Sequence, residues 1–278
     1  MDHPCFDEKA HFSVGRIHLQ VAPKCNIKCR YCEAGICSDL RGVPGATSEI
    51  MPTSEVVSTV KNAIKAEPRN KIVAVAGPGD PLANDQTFET LALIKHHFPQ
   101  LKTCLCTNGL LLPEKIHQLS GLDYITVTFN AVTSKTAKKI YRYITLDGKK
   151  SADLGVLLRN QRLGVRLANE RGITVKINTV LIPRINEHEI EKIARWASSY
   201  AYIMNVMPLI PRGEFKGKKR PSWAQMDRAR LAVSKHMRLF TCCKQCRADA
   251  IGVPGEVEYQ KDKIYSSEMD FRYRPIPL

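Results

Sequence analysis

Two periods of hydrophobicity take turns along this chain. Short apolar runs rich in β-branched residues predict strands at Arg16–Val21, Lys71–Ala76, Leu101–Thr107, Tyr124–Asn130, Thr174–Leu181 and Tyr202–Met207. Between them, apolar residues spaced three and four apart predict helices at Thr53–Ala66, Thr87–Phe98, Pro113–Leu119, Lys135–Tyr143, Ala152–Arg171 and Glu187–Ser198. Thr53 is the expected cap of the first of these helices. Six strand–helix units in succession imply an α/β fold with a parallel sheet and right-handed crossovers.

Parity within the strands adds direction. Ile17, Leu19 and Val21 fall on one face of the first strand, and Arg16, His18 and Gln20 on the other. His18 is therefore expected to point away from the helix layer. Cys104 and Cys106 share a face, so parity does not choose between them. The expected organisation is a single domain, 1–278, with a core over about 16–210. The extensions 1–15 and 211–278 are too short for a core of their own and read as covers over the sheet's C-terminal mouth.

Composition changes the picture in two places. Of the 278 residues, 44% are hydrophobic, as in an ordinary globular protein. No apolar run approaches the ~20 residues of a membrane span, and the polar N-terminus is not a secretory signal. A cytoplasmic protein without a membrane partner is expected. In a reducing compartment its ten cysteines point to metal rather than disulfides. The net charge of +15 has three readings. Lysine runs such as Lys216-Gly-Lys-Lys-Arg220 read as solvated surface. A nucleic-acid partner would call for RNA-binding elements, which are absent from the sequence, so none is expected. Near the cysteines, a basic surround eases burial of anionic iron–sulfur clusters.

The cysteines carry the chemistry. Cys25-Asn-Ile-Lys-Cys29-Arg-Tyr-Cys32 follows the first strand directly. Zinc sites usually pair two C-x2-C units or add His, and the x3 gap fits them poorly. A [4Fe–4S] cubane held only by protein takes four Cys, so three leave one iron open. With this spacing, this place after the strand and Tyr31 before the last Cys, the chain resembles the radical S-adenosylmethionine (SAM) superfamily. The resemblance implies a partial (βα)6 TIM-type barrel. It also implies that the open iron binds SAM, which an electron splits into methionine and a 5′-deoxyadenosyl radical. Ala76-Gly-Pro-Gly-Asp-Pro-Leu82, a plain turn by itself, occupies the place where members contact the SAM amino group. Gly77, Gly79 and Asp80 are thus implied as SAM contacts, with Asp80 where many members have Glu. Thr107, Asn108, Asn130 and Tyr31 are further implied contacts at the mouth, and Asn178 a weaker one.

Further motifs narrow the resemblance. They are His3-Pro-Cys-Phe6, the spacing of His18 to Cys25, Cys106-Thr-Asn-Gly-Leu110, Asn205-Val-Met-Pro-Leu-Ile-Pro211 and Cys243-Lys-Gln-Cys-Arg-Ala-Asp-Ala250. Together with the glycine turn they look like the NifB family of nitrogenase-cofactor maturases, in its compact form without a NifX-like domain. By its spacing alone, Cys243-Lys-Gln-Cys246 is a zinc half-site, a redox pair or a pair of cluster ligands. The family implies the last. Two auxiliary [4Fe–4S] clusters, K1 and K2, would take ligands at Cys5, His18, Cys37, Cys104, Cys243 and Cys246, with Cys106 and Cys242 left over. The implied reaction fuses the two clusters around a SAM-derived carbide, with an extra sulfur, into an [8Fe–9S–C] precursor. His18 would act as a labile ligand or as a base. Implied partners are an electron donor such as a ferredoxin and a NifEN-like scaffold or NifX-like carrier. The rivals are a radical SAM enzyme with auxiliary clusters acting on a nucleotide or peptide, and a basic RNA-binding protein with a structural metal.

Overall fold

A computed structural model describes residues 1–33, 35–36 and 43–256. Cys37 lies outside the described residues. Along the chain run α1 (Glu8–His11), β1 (Gly15–His18), β2 (Ile27–Cys29), α2 (Val56–Ala66), β3 (Asn70–Val75), α3 (Asp85–His97), β4 (Lys102–Thr107), α4 (Leu112–Lys115) and β5 (Tyr124–Thr128). They are followed by α5 (Ser134–Ile140), β6 (Tyr141–Leu146), β7 (Lys149–Ser151), α6 (Leu154–Glu170), β8 (Thr174–Leu181), α7 (Ile190–Ala197), β9 (Ile203–Pro208), α8 (Trp223–Ser234), β10 (Leu239–Phe240) and β11 (Ile251–Gly252).

The main sheet has eight strands in the order β10-β9-β8-β5-β4-β3-β1-β11. All its pairings are parallel except β1 with β11. This is the expected partial barrel. Its outer face carries Ile17, Leu19, Val73, Val75, Leu105, Ile125, Val127, Val175, Ile177, Met204 and Val206, packed against helix residues such as Val56, Val60, Ile94, Val165 and Ile193. Burying one such side chain contributes roughly 1.5–3 kcal/mol, so this layer holds the barrel curved. The opposite parity turns Arg16, His18, Ala74, Cys104, Cys106, Thr126, Thr128, Lys176, Asn178 and Met207 to the interior, where all of them line one cavity.

Four local expectations are corrected. The helix expected over 135–143 stops at Ile140, and Tyr141–Leu146 becomes β6. Its Tyr-Arg-Tyr-Ile-Thr-Leu sequence suits a strand, and it pairs antiparallel with β2 and β7 in a separate small sheet. Thr53 caps nothing. A 3-10 turn, Thr53–Glu55, leads into α2, and Thr53 Oγ1 instead donates to Glu89 Oε1 at 2.9 Å. The core also continues past residue 210. α8, with a Ser222–Gln225 capping box, sends Met226, Ala229 and Val233 into the main core. Residues 1–12, finally, do not cover the mouth. Phe6 and His3 pack on Tyr124, the first residue of β5, so this segment closes the N-terminal end of the barrel.

The segment after β10 has a different course. Gln245 Nε2 donates to Pro208 O at the end of β9, Gly45 N donates to Cys246 O, and β11 then pairs with β1. Residues 241–250 thus form a strap across the open side of the barrel, from one sheet edge to the other.

Candidate functional site

The three-cysteine loop is held from two sides. β2 pairs with β6, and Arg30 N donates to Ile140 O at 2.9 Å. On the other side its stem is zipped to the glycine turn. Gly79 N donates to Ala22 O at 2.7 Å, Asp80 N to Lys24 O at 2.9 Å and Asn84 Nδ2 to Lys24 O at 2.9 Å. A Cβ on Gly79 would stand 2.1 Å from Lys24 O, so only glycine permits this approach. Burial pushes Cys25 up to about 12 and Cys29 well above the usual thiol range, and the neighbouring thiols add to it. The Tyr31 hydroxyl opposes this by hydrogen-bonding Cys29. Asn130 Nδ2 donates to Tyr31 Oη at 2.9 Å and fixes that hydroxyl.

Several implied SAM contacts stand differently from expectation. Asp80 is buried, and its carboxylate accepts from Leu82 N, Asn108 N and Thr107 Oγ1. Asn130 is fully buried, and its Oδ1 accepts from Val180 N. Thr107 is committed to Asp80 and Gly109 N. Asn108 Nδ2 donates to Asn26 Oδ1 inside the cysteine loop. Asp80, Thr107, Asn108 and Asn130 therefore brace the loop from beneath. Gly77 and Gly79 admit close backbone neighbours, Gly45 O and Lys24 O respectively. Of the implied contacts, Tyr31 and the weaker candidate Asn178 line the cavity described next.

Asp80 gives a measurable consequence. Burial raises its carboxyl to about 6. The folded chain thus binds this proton more tightly than the unfolded chain, so the contribution favours folding at low pH and is lost as pH rises through about 6. Asp80→Ala leaves two backbone N–H groups and a buried hydroxyl without acceptors, a loss of roughly 3 kcal/mol. Denaturant titration is expected to show a larger deficit at pH 5 than at pH 7.5. An equal or reversed deficit would contradict this.

The cavity is the centre of the molecule, about 280 Å³ in volume. Cys5 reaches it from the N-terminal segment, Cys104 and Cys106 from β4, Cys32 from the loop, His18 from β1, and Cys243 and Cys246 from the strap. Two buried cations face it. Lys176 Nζ donates to Cys5 O at 2.9 Å and lies over the rings of Phe6 and Phe240. Arg16 Nη2 donates to Cys246 Sγ at 3.1 Å. Burial raises Cys5 to about 11, against the pull of Lys176. His18 Nδ1 lies 2.8 Å from Arg247 O. A carbonyl only accepts, so the proton sits on Nδ1 and the Nε2 lone pair is left for a metal. Burial lowers His18 to about 4, which keeps it neutral.

Soft thiols, a neutral imidazole and buried cations are what an anionic iron–sulfur body requires. Among the described residues, no three His, Cys, Asp or Glu side chains converge tightly enough for a single ion. The donors instead surround a volume. Lys176, Arg16 and His3 were missed as site residues in the sequence. The available signal was a Lys between Val175 and Ile177 in an otherwise apolar strand. Cys242 is buried and packs in the cluster around Phe6 and Phe240, apart from the cavity lining. No described helix is long and apolar enough to cross a membrane.

Comparison with known proteins agrees with this geometry. Residues 19–197 match the Radical SAM superfamily. The FeMo cofactor biosynthesis protein NifB of Methanocaldococcus infernus is 40% identical over 268 residues, covering 94% of this chain and 88% of that protein. The NifB of Azotobacter vinelandii is 35% identical over 285 residues, covering 97% of this chain and 57% of its own length. Among solved structures, Streptococcus suis SuiB bound to S-adenosylmethionine superposes with a TM-score of 0.60 at 16% identity, over 81% of this chain and 49% of that one. TYW1 with a lysine-pyruvate adduct superposes with 0.53 at 11% identity, over 83% and 77%. These two likenesses concern the fold.

Proposed function

The chain belongs to the radical SAM superfamily and, within it, to the NifB family, and we propose that its barrel fuses two [4Fe–4S] clusters around a SAM-derived carbide. It is a radical SAM enzyme of FeMo cofactor biosynthesis. The proposed product is the [8Fe–9S–C] precursor, with one SAM giving its methyl to a substrate-cluster sulfide, a second SAM supplying the hydrogen-abstracting radical, and a ninth sulfur added at the oxidation level of sulfide from outside the two clusters. The observation that supports this most is the single cavity joining thiols from both chain ends to the three-cysteine loop.

The proposed roles follow from position. Cys25, Cys29 and Cys32 would hold the SAM cluster, which would supply the electron for SAM cleavage. Tyr31, braced by Asn130, donates to Cys29 and moderates its thiolate charge. Cys5, Cys104 and Cys243 surround the Lys176 end of the cavity and hold one substrate cluster. His18 and Cys246, on either side of Arg16, hold the other, with Cys37 as the third implied ligand. Each thiol releases its proton on binding iron. His18 Nε2 is the exchangeable ligand. Sharing one cavity brings the substrates together without diffusion. An electron donor such as a ferredoxin and a NifEN-like or NifX-like acceptor complete the proposal.

The test is anoxic incubation of iron-reconstituted protein with SAM and a strong reductant. S-adenosylhomocysteine and 5′-deoxyadenosine should both form without an added organic substrate. Deoxyadenosine alone would point to a different substrate, and neither product from protein with intact clusters would refute the reading. His18→Ala should lose the fused product while still forming deoxyadenosine. Normal yield of the fused core would remove His18 from the essential set.

A further inference from the structure

Cys106 has no role in the assignments above, yet it stands among the inner ligands. β4 turns Cys104 and Cys106 to the same cavity, and the two thiols hydrogen-bond each other. Thr126, its register partner on β5, hydrogen-bonds Cys106 as well. Cys104 is almost closed off at 2% exposure, whereas Cys106 is only partly buried. Cys5 lies within electrostatic reach of both Cys106 and Cys243. Four thiols, from the N-terminal segment, β4 and the strap, therefore face one space beside Lys176.

A second feature points to an occupant there. His3 is buried at 2% exposure and lines the cavity. Its Nδ1 accepts from Cys5 N at 3.0 Å, so a neutral ring carries its proton on Nε2. That Nε2 has no partner among the described residues. A buried donor without an acceptor is costly, and a cluster sulfide would be an acceptor.

We propose that Cys106 is a fourth thiolate of the inner site, so that Cys5, Cys104, Cys106 and Cys243 hold that cluster with no iron left open. This rests on the cavity being a cluster site, as proposed above. Four Cys complete the ligand set of a cubane. Loading displaces four thiol protons and moves no electrons. One thiolate then has to leave before the cluster can react, and Cys106, nearest the open end of β4, is the one placed to do so.

The test compares Cys104→Ala, Cys106→Ala and the double variant after anoxic reconstitution. The readouts are iron and acid-labile sulfide per chain and the EPR spectrum of the reduced protein. Each single variant should keep three thiolates and the inner cluster, with an altered EPR signal. The double variant should lose one cubane of iron and sulfide and retain the SAM cluster. Loss of the inner cluster by Cys106→Ala alone, with the SAM cluster retained, also supports the ligand role. The proposal is overturned if Cys106→Ala matches the parent in iron, sulfide and EPR while Cys104→Ala loses a cubane. It is equally overturned if Cys104→Ala matches the parent in iron, sulfide and EPR, since a true ligand cannot be removed without changing the signal. A parent protein that loads only the SAM cluster would overturn the cluster-site reading itself, a result visible before any variant is made.

Discussion

Replacing Cys29 with Ala is expected to reduce 5′-deoxyadenosine formation to background. Cys29 closes β2, which pairs with β6 across Tyr141, so its thiol is placed by a sheet and not by a mobile turn. Removing it leaves two thiolates for a cubane that needs three from the protein. The substitution should leave the barrel folded, because Cys29 belongs to the small sheet and not to the main core. Tyr31→Phe is the graded comparison. It removes only the hydroxyl that hydrogen-bonds Cys29, so cleavage should slow and not stop. The readouts are chromatography of the nucleoside product and iron per chain. A Cys29→Ala protein with full iron content and continued cleavage would show that the loop is not the SAM-cluster site.

Gly79→Ala should be nearly as damaging for a different reason. The added methyl would meet Lys24 O at 2.1 Å, Lys24 C at 2.5 Å and Ala22 O at 2.8 Å, all of them backbone. Nothing there can rotate away. The stem of the cysteine loop has to lift off, and its hydrogen bonds from Gly79 N, Asp80 N and Asn84 Nδ2 are strained or lost. At about 1 kcal/mol each the loss is roughly 3 kcal/mol, or about 6–12 °C in the melting temperature of the apo-protein. SAM cleavage should fall with it, since the loop loses its seat. A melting temperature within about 1 °C of the parent would show that the turn yields more easily than its packing indicates.

The sequence was most legible where one period and one burial pattern acted together. Five of the six expected strands lie within two residues of their expected ends, because buried parallel strands leave unbroken apolar runs, and β1 stops three residues early at His18. The inward parity of His18 was readable for the same reason, since Ile17 and Leu19 had to face the helices. Legibility failed where tertiary partners decide. Tyr141–Leu146 continues a helical stretch in sequence, and it is the pairing with Ile27–Cys29 that makes it a strand. Asp80 and Asn130 sit at positions that suggest ligand contact. Only their hydrogen bonds, at Asp80 from two backbone N–H groups and the Thr107 hydroxyl, show that they brace the loop. The division of the cysteines was illegible for a further reason. Cys5 and Cys243 meet because the chain ends enter the barrel from different directions, and no local spacing records that.

The strap also sets an order of events in the cell. Cys5 leaves the ribosome before Cys104 and Cys106, and Cys243 and Cys246 leave it long after them. Domains fold as units during synthesis, yet here the inner donors cannot come together until residue 246 has emerged. Until then a growing chain holds Cys5, Cys104 and Cys106 without Cys243 and Cys246. Loading of the proposed inner cluster site would therefore wait until residue 246 has emerged.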